Sequence, residues 1–326
     1  MKNKYFLLMA SIWLLSCCGQ KNATKEPVQS VEVKSDVSVP VFNADSAYSF
    51  VAEQVAFGPR VPNTAPHKEC ANYLIRKLEE YGAQTFGQEA VVTAYNKTPL
   101  NIINVIGSYN PDNKRRILLF AHWDTRPYAD HDPDEANHHK AIDGADDGGS
   151  GVGVLLEIAR LIHENQIDIG IDIIFFDAED YGTPEFVKDY SPDSWCLGSQ
   201  FWAKNPHIPD YKANFGILLD MVGAKDATFY KEYTSVKYAS QYVELVWNTA
   251  RNLGYGKYFI NARGGGVVDD HEYVIKGRKI PCLDIINYNL DGFGAHWHTL
   301  NDNMDVIDKE TLKAVGQTVL DVIYKY

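Results

Sequence analysis

The sequence predicts an α/β fold, a single domain with a twisted, mostly parallel mixed central sheet flanked by helices. Two observations carry the fold class. Apolar, β-branched runs of strand length recur at residues 101–107, 117–122, 169–176, 215–221 and 282–287, with helical periodicity between them. Several of these runs, such as Ile117-Leu118-Leu119-Phe120, are apolar without alternation, which marks strands covered on both faces, as parallel sheets require.

The elements follow in chain order. Residues 1–18 start with Lys2 and Lys4, continue as an apolar run and end in Ser16-Cys17-Cys18. The run is shorter than the about 20 apolar residues a bilayer span needs, so it reads as an export signal. Leu14-Leu15-Ser16-Cys17 resembles a bacterial lipobox, which makes Cys17 the expected lipid anchor of an exported, membrane-anchored lipoprotein facing the periplasm. Residues 19–42 are polar, lack a sustained apolar face and read as a flexible tether; residues 43–326 form the catalytic body. Within it, Cys70, Leu74, Leu78 and Tyr81 share a helical face that ends at Gly82. Val152, Leu155, Leu156 and Ala159 share another, on a helix beginning near Gly151, and Leu312, Val315, Val319 and Ile323 share a third.

Composition narrows the function. The 326 residues are 45% hydrophobic and 23% charged, which excludes a disordered or multi-span chain, and a net charge of −12 repels phosphate backbones, so no nucleic acid is expected as a partner. Cys70, Cys196 and Cys282 allow at most one disulfide in the body; Cys70 and Cys282 read as buried thiols, and no Cys-x-x-Cys spacing suggests a structural zinc cluster.

In sheets of this kind ligands collect beyond the carboxyl ends of the strands. Polar residues gather there: His122-Trp123-Asp124 after 117–121, residues 177–180 (Asp-Ala-Glu-Asp) after 169–176, and Asp220 after 215–219. The turn Asp143-Gly144-Ala145-Asp146-Asp147 leads into a helix, and His296-Trp297-His298 follows the last strand. Taken singly, each carboxylate reads better as a helix cap or solvated loop residue, and each histidine as a surface or satisfied core residue. Five such segments at one sheet edge make the oxygen and imidazole mixture of a catalytic zinc site. The adjacent Glu179 and Asp180 suit a proton-transfer group beside a metal ligand. Asp269-Asp270-His271 reads either as a helix cap or as a supporting carboxylate. His131, His138 and His139 read as an exposed loop, Gly264-Gly265-Gly266 lacks a phosphate-loop continuation, and Ser199 lacks a nucleophile elbow.

These motifs resemble those of the bacterial members of the animal-type, zinc-dependent glutaminyl cyclases, relatives of the zinc aminopeptidases, over roughly residues 45–326. The resemblance implies one zinc per chain on Asp147, Asp180 and His298, with Glu179 as proton shuttle and Asp220 and Asp269 as buried hydrogen-bonding carboxylates. It also implies an apolar substrate wall of Phe293 and Trp297, and peptides or proteins with N-terminal glutamine as partners. His122 and Asp220 match the extra ligands with which aminopeptidases hold a second zinc, so a two-zinc aminopeptidase is the alternative. The 18 residues from Asp180 to Gly198 are similar to the longer cyclase loop. Three departures from the animal enzymes stand out. Asp180 replaces Glu, Asp284 replaces a histidine of the last strand, and Ala121 replaces a disulfide cysteine.

Overall fold

Four of the near-continuous apolar runs form the middle and one edge of a six-stranded sheet. The computed structural model describes residue 34 and residues 37–326; the signal segment, Cys17 and most of the tether lie outside the described residues. Helices α1 (Ala44–Val55) and α2 (Ala65–Glu80) lead to the hairpin β1 (Gln84–Thr93) and β2 (Pro99–Tyr109). Then come β3 (Arg116–His122), α3 (Gly149–Asn165), β4 (Gly170–Phe176), α4 (Leu197–Lys204), β5 (Phe215–Asp220), β6 (Phe229–Lys231) and α5 (Tyr233–Asn252). The chain closes with β7 (Phe259–Arg263), α6 (Asp270–Arg278), β8 (Cys282–Ile286), the two-residue strands β9 (Tyr288–Asn289) and β10 (Gly292–Phe293), and α7 (Lys309–Lys325).

The sheet order is β1-β2-β4-β3-β5-β8, with β4, β3, β5 and β8 parallel and the β1–β2 hairpin antiparallel at one edge. Alternation along each buried strand feeds two cores. Ile117, Leu119 and Ala121 of β3 face the layer of α1, α2, α3, α5 and α7, while Leu118 and Phe120 face α4 and α6. Because β4 and β5 flank β3 on opposite sides, the connections leaving the carboxyl ends of these strands diverge there and open a crevice.

The expected mixed sheet, its five strands and its three helices are present. Strand β1 and helix α5 were not anticipated. β1 is polar, carries Gly87 and is mostly exposed at the sheet edge, so burial imprints no pattern on it. α5 is largely polar and kinks at Ala239, which breaks its periodicity. The helix expected near Gly151 begins at Gly149; Gly151 packs so closely on β5 that a Cβ would lie 2.2 Å from the Leu219 carbonyl oxygen. Packing also reaches into the last residues assigned to the tether. Val37 and Val39 lie against the core, and Phe42 is buried beneath α7 at Gly316.

Candidate active site at the carboxyl ends of the sheet

His122 ends β3, fully buried. Its Nε2 lies 3.0 Å from Asp147 Oδ1 and 3.2 Å from Asp220 Oδ1, and its Nδ1 lies 3.5 Å from Asp124 Oδ1. Burial opposes a charged ring here, but hydrogen bonds to Asp124, Asp147 and Asp220 outweigh it and push the His122 pKa well up. A second group shares Asp147: His298 Nε2 is 3.1 Å from Asp180 Oδ1 and 3.6 Å from Asp147 Oδ2. Each group offers three buried donor atoms within 4.8 Å of one another.

The donor chemistry fits zinc. Asp180 Oδ2 is buried and has no hydrogen-bond partner, and burial together with the Asp147 charge drives the Asp180 pKa well up. A buried carboxylate oxygen left without a hydrogen bond beside a second carboxylate is a donor that a cation would satisfy. His298 is held well below its ordinary pKa by burial and by Arg126, His131 and His122, which keeps its imidazole neutral, the form that binds metal. Its backbone sits in the left-handed region at φ 53°.

Two carboxylates hold these ligand turns through the backbone. Asp124 accepts the N–H groups of Glu179 (3.0 Å) and Asp180 (3.2 Å), and Asp302 accepts those of Asp146 (2.8 Å) and Asp147 (3.1 Å). Gly148 follows at φ 84°, where a Cβ would meet Asp124 O at 2.8 Å and the His122 ring at 2.9 Å. Asp146 is gripped by His296 Nε2 at 2.8 Å.

Glu179 stands beside this site without joining either donor group. The thiol of Cys196 donates to its Oε1 at 3.1 Å, and Cys196 N–H donates to its carbonyl at 2.9 Å. Burial raises the Glu179 pKa well above the ordinary carboxylate range, with Asp269 and Asp180 adding to it against the pull of His122. Burial likewise pushes the Cys196 thiol well up, so it remains a neutral donor. Of the two readings of the Asp269-Asp270-His271 motif, the structure shows the helix cap. Asp269 caps α6 through Oδ1 and lines the cavity, with Oδ2 unpartnered and a pKa raised to about 7 by burial and by Asp220. Asp220 rises to about 6, by burial first and by Asp147. Asp284 on β8 lies beneath, both oxygens unpartnered, its pKa driven well up by burial and by Asp269 and Asp220.

The cavity of about 240 Å³ is lined by Asp147, Glu179, Asp180, Asp220, Asp269 and His298, and by the aromatic wall of Trp195, Phe293 and Trp297. Phe293 and Trp297 stack at 4.2 Å, and Trp297 lies 3.8 Å from the His298 ring. All ten body residues singled out in the sequence meet here or directly behind it. His131 is exposed on its loop, as expected, and the loop packs against the site. Its ring lies 4.3 Å from Trp297, and its N–H donates to the His298 carbonyl. Neighbouring Asp130 is clamped by Arg126 at 2.7 and 2.6 Å, and this buried ion pair draws the loop onto the site. His138 and His139 stay away from it, bonded to the Asp132 carbonyl and packed on Phe186. Cys196, Arg126 and Asp302 were missed, since neither spacing nor periodicity links them to the ligands.

Comparison with known proteins agrees with this geometry. The model of peptidase family M28 matches residues 104–323. A glutaminyl cyclase from Tannerella forsythia is 68% identical and superposes with a TM-score of 0.87 over 88% of this chain and 100% of its own. A Zn-dependent exopeptidase from Parabacteroides distasonis is 65% identical, with a TM-score of 0.88 over 89% of this chain and 100% of its own. Among curated proteins, the glutaminyl-peptide cyclotransferase of Bos taurus is 27% identical over 267 residues, covering 72% of this chain and 70% of that one. The nested layers, the zinc-suited donor groups and these matches converge on one assignment: the chain belongs to peptidase family M28, among its bacterial glutaminyl cyclases.

Proposed function

We propose that the protein is a glutaminyl-peptide cyclotransferase that converts N-terminal glutamine of peptides or proteins to pyroglutamate and ammonia, with one zinc on Asp147, Asp180 and His298. The observation that carries this reading is Glu179, a buried carboxylate whose pKa is raised by burial, beside the donor group in a small, aromatic-walled cavity. Zinc held there supplies a Lewis acid to the γ-carbonyl of the glutamine. Glu179 takes a proton from the α-amine as its nitrogen bonds to the side-chain carbonyl carbon, then delivers it to the amide nitrogen as the C–N bond breaks and ammonia leaves. The attacking amine belongs to the substrate itself, so no protein nucleophile is needed and ring closure gains from proximity. Phe293 and Trp297 cover the reacting amide and keep out water that would hydrolyse it. Asp220 and Asp269 orient the groups around Glu179, and Asp284 supports Asp269 from below.

A second reading, a two-zinc aminopeptidase, is favoured by one specific feature, the Asp147 carboxylate shared between the His122–Asp220 and Asp180–His298 groups. In the cyclase reading His122 instead stays hydrogen-bonded between Asp147 and Asp220 and holds no metal. Incubation with Gln-Ala and Leu-Ala separates the two readings. Ammonia and a cyclised product from the first dipeptide alone support the cyclase, and free leucine from the second without ammonia from the first overturns it. Metal analysis should give one zinc per chain. We further propose that the protein is anchored to the membrane through acylated Cys17 and faces the periplasm. No helix among the described residues is long and apolar enough to cross a membrane.

A further inference from the structure

Val267 and Val268 wall two depressions at once. On one side they line the acidic cavity. On the other, with Gly266, they line a neighbouring groove of about 370 Å³ built from Tyr233, Lys237 and Tyr238 of α5 and Glu272, Ile275 and Lys276 of α6. The two spaces therefore adjoin across a ridge formed by Gly266, Val267 and Val268. Gly266 adds no side chain to this ridge; a Cβ there would lie 3.5 Å from Glu232 Oε1 and from Tyr233 Cβ.

The groove has its own chemistry. Tyr233 is 60% exposed, Tyr238 51% and Val268 42%, and their adjacency at the rim of a site makes an apolar patch where scattered exposed residues would need no explanation. Charge changes sign across the ridge. The cavity is lined by six carboxylates, whereas in the groove Glu272 is neutralised by Lys276 Nζ at 2.5 Å and also accepts from Thr234 Oγ1 at 3.1 Å. Lys237 is in no ion pair among the described residues and lies 5.0 Å from the Tyr238 ring centroid, so it is the groove's uncompensated charge.

We propose that this groove is a binding site for the residues that follow the N-terminal glutamine of a peptide substrate. It takes an acidic side chain against Lys237 and an aromatic or large apolar one on Tyr233 and Tyr238. The proposal rests on the cyclase reading and adds substrate selection to it. An extended peptide advances 3.3–3.6 Å per residue, so a chain whose amine enters the cavity crosses the ridge within its first few residues. The amine of that peptide suits the acidic cavity and an acid further along suits the groove.

Amidated peptides remove the terminal carboxylate as a confounder, so ammonia release is measured from Gln-Ala-amide, Gln-Ala-Glu-Phe-amide and Gln-Ala-Lys-Phe-amide. The Glu peptide should exceed the Lys peptide in kcat/KM by about threefold to tenfold, the scale of one exposed ion pair gained against one repelled, with the difference in KM. Lys237→Glu should reverse that order, and Tyr238→Ser should lower kcat/KM for both tetrapeptides while Gln-Ala-amide turnover stays unchanged in each variant. Equal kcat/KM for the two tetrapeptides, or a preference that survives Lys237→Glu, overturns the groove while ammonia from Gln-Ala-amide leaves the cyclase reading standing. Ammonia from none of the three overturns both.

Discussion

Glu179 and Cys196 form one unit, joined by a thiol-to-carboxylate hydrogen bond and a backbone hydrogen bond. In the proposed mechanism the carboxylate exchanges protons, and the thiol that donates to it holds its orientation. Glu179→Gln keeps the size and removes the exchange. Turnover should fall about 10²–10⁴-fold with zinc content and melting temperature nearly unchanged. Loss of zinc in that variant would show that Glu179, not Asp180, holds the metal. Replacing the thiol separates donation from packing: Cys196→Ser retains a donor, Cys196→Ala does not. The expectation is near-normal kcat for Ser and a drop in kcat at constant KM for Ala; equal effects would reduce Cys196 to a packing residue. The left-handed backbone at Cys196 (φ 56°) already costs energy for a non-glycine residue, and the paired contacts with Glu179 are what hold it there.

At the scale of elements, the ligand turns depend on carboxylates that are not ligands. Asp302, from the segment before α7, holds the N–H groups of Asp146 and Asp147. Removing it strands two buried donors at about 1–3 kcal/mol each. Asp302→Ala should therefore lower the melting temperature and weaken zinc retention about 10–100-fold, read by chelator competition. A variant that loses stability but retains zinc as tightly as the parent would confine Asp302 to folding. The N-terminus of α5 carries a pH-dependent contribution. Glu232 accepts from the N–H groups of Thr234 and Ser235 and from His271. Burial raises its pKa, but the His271 and backbone bonds overcome this and bring it down to about 2. A depressed carboxylate stabilises the fold above its unfolded value of 4.5, and that stability disappears as pH falls toward 2. Glu232→Gln should flatten the acid limb of a stability-versus-pH curve between pH 4.5 and 2; an unchanged limb would assign acid unfolding to other groups.

Over the whole molecule, the fold gathers a cluster of buried carboxyl groups at one end of the sheet. Asp147, Asp180 and Asp220 converge beneath Glu179 and Asp269, so a bound cation must stabilise the native state by mass action and by relieving their repulsion. Chelation should lower the melting temperature and abolish turnover together, and added zinc should restore both. A melting temperature insensitive to chelator would mean that the protonated carboxyls and His122 suffice without metal. The anchor is tested by fractionation and mass spectrometry. Acylated Cys17 should place the protein with membranes, replacement of Cys17 should release it, and a mature, unmodified N-terminus beyond Cys18 would remove the anchor.

Much of this was legible before any coordinates. Strands buried on both faces must be apolar throughout, so the runs at 117–122 and 169–176 were readable as buried strands, and the polar residues at several strand ends together pointed to a crevice. His122, Asp147, Glu179, Asp180, Asp220, Asp269 and His298 were found because each adjoins a recognisable strand or helix boundary. Tertiary structure alone decided the rest. The Cys196–Glu179 bond, the Asp302 and Asp124 anchors, the docking of His131 on Trp297 and the groove beyond Val268 join residues far apart in the chain, and their polar or unpatterned surroundings leave no periodic trace. Hydrophobic burial writes its period into the sequence, whereas a single hydrogen bond between distant loops does not, because its geometry exists only once the sheet has brought the strand ends together.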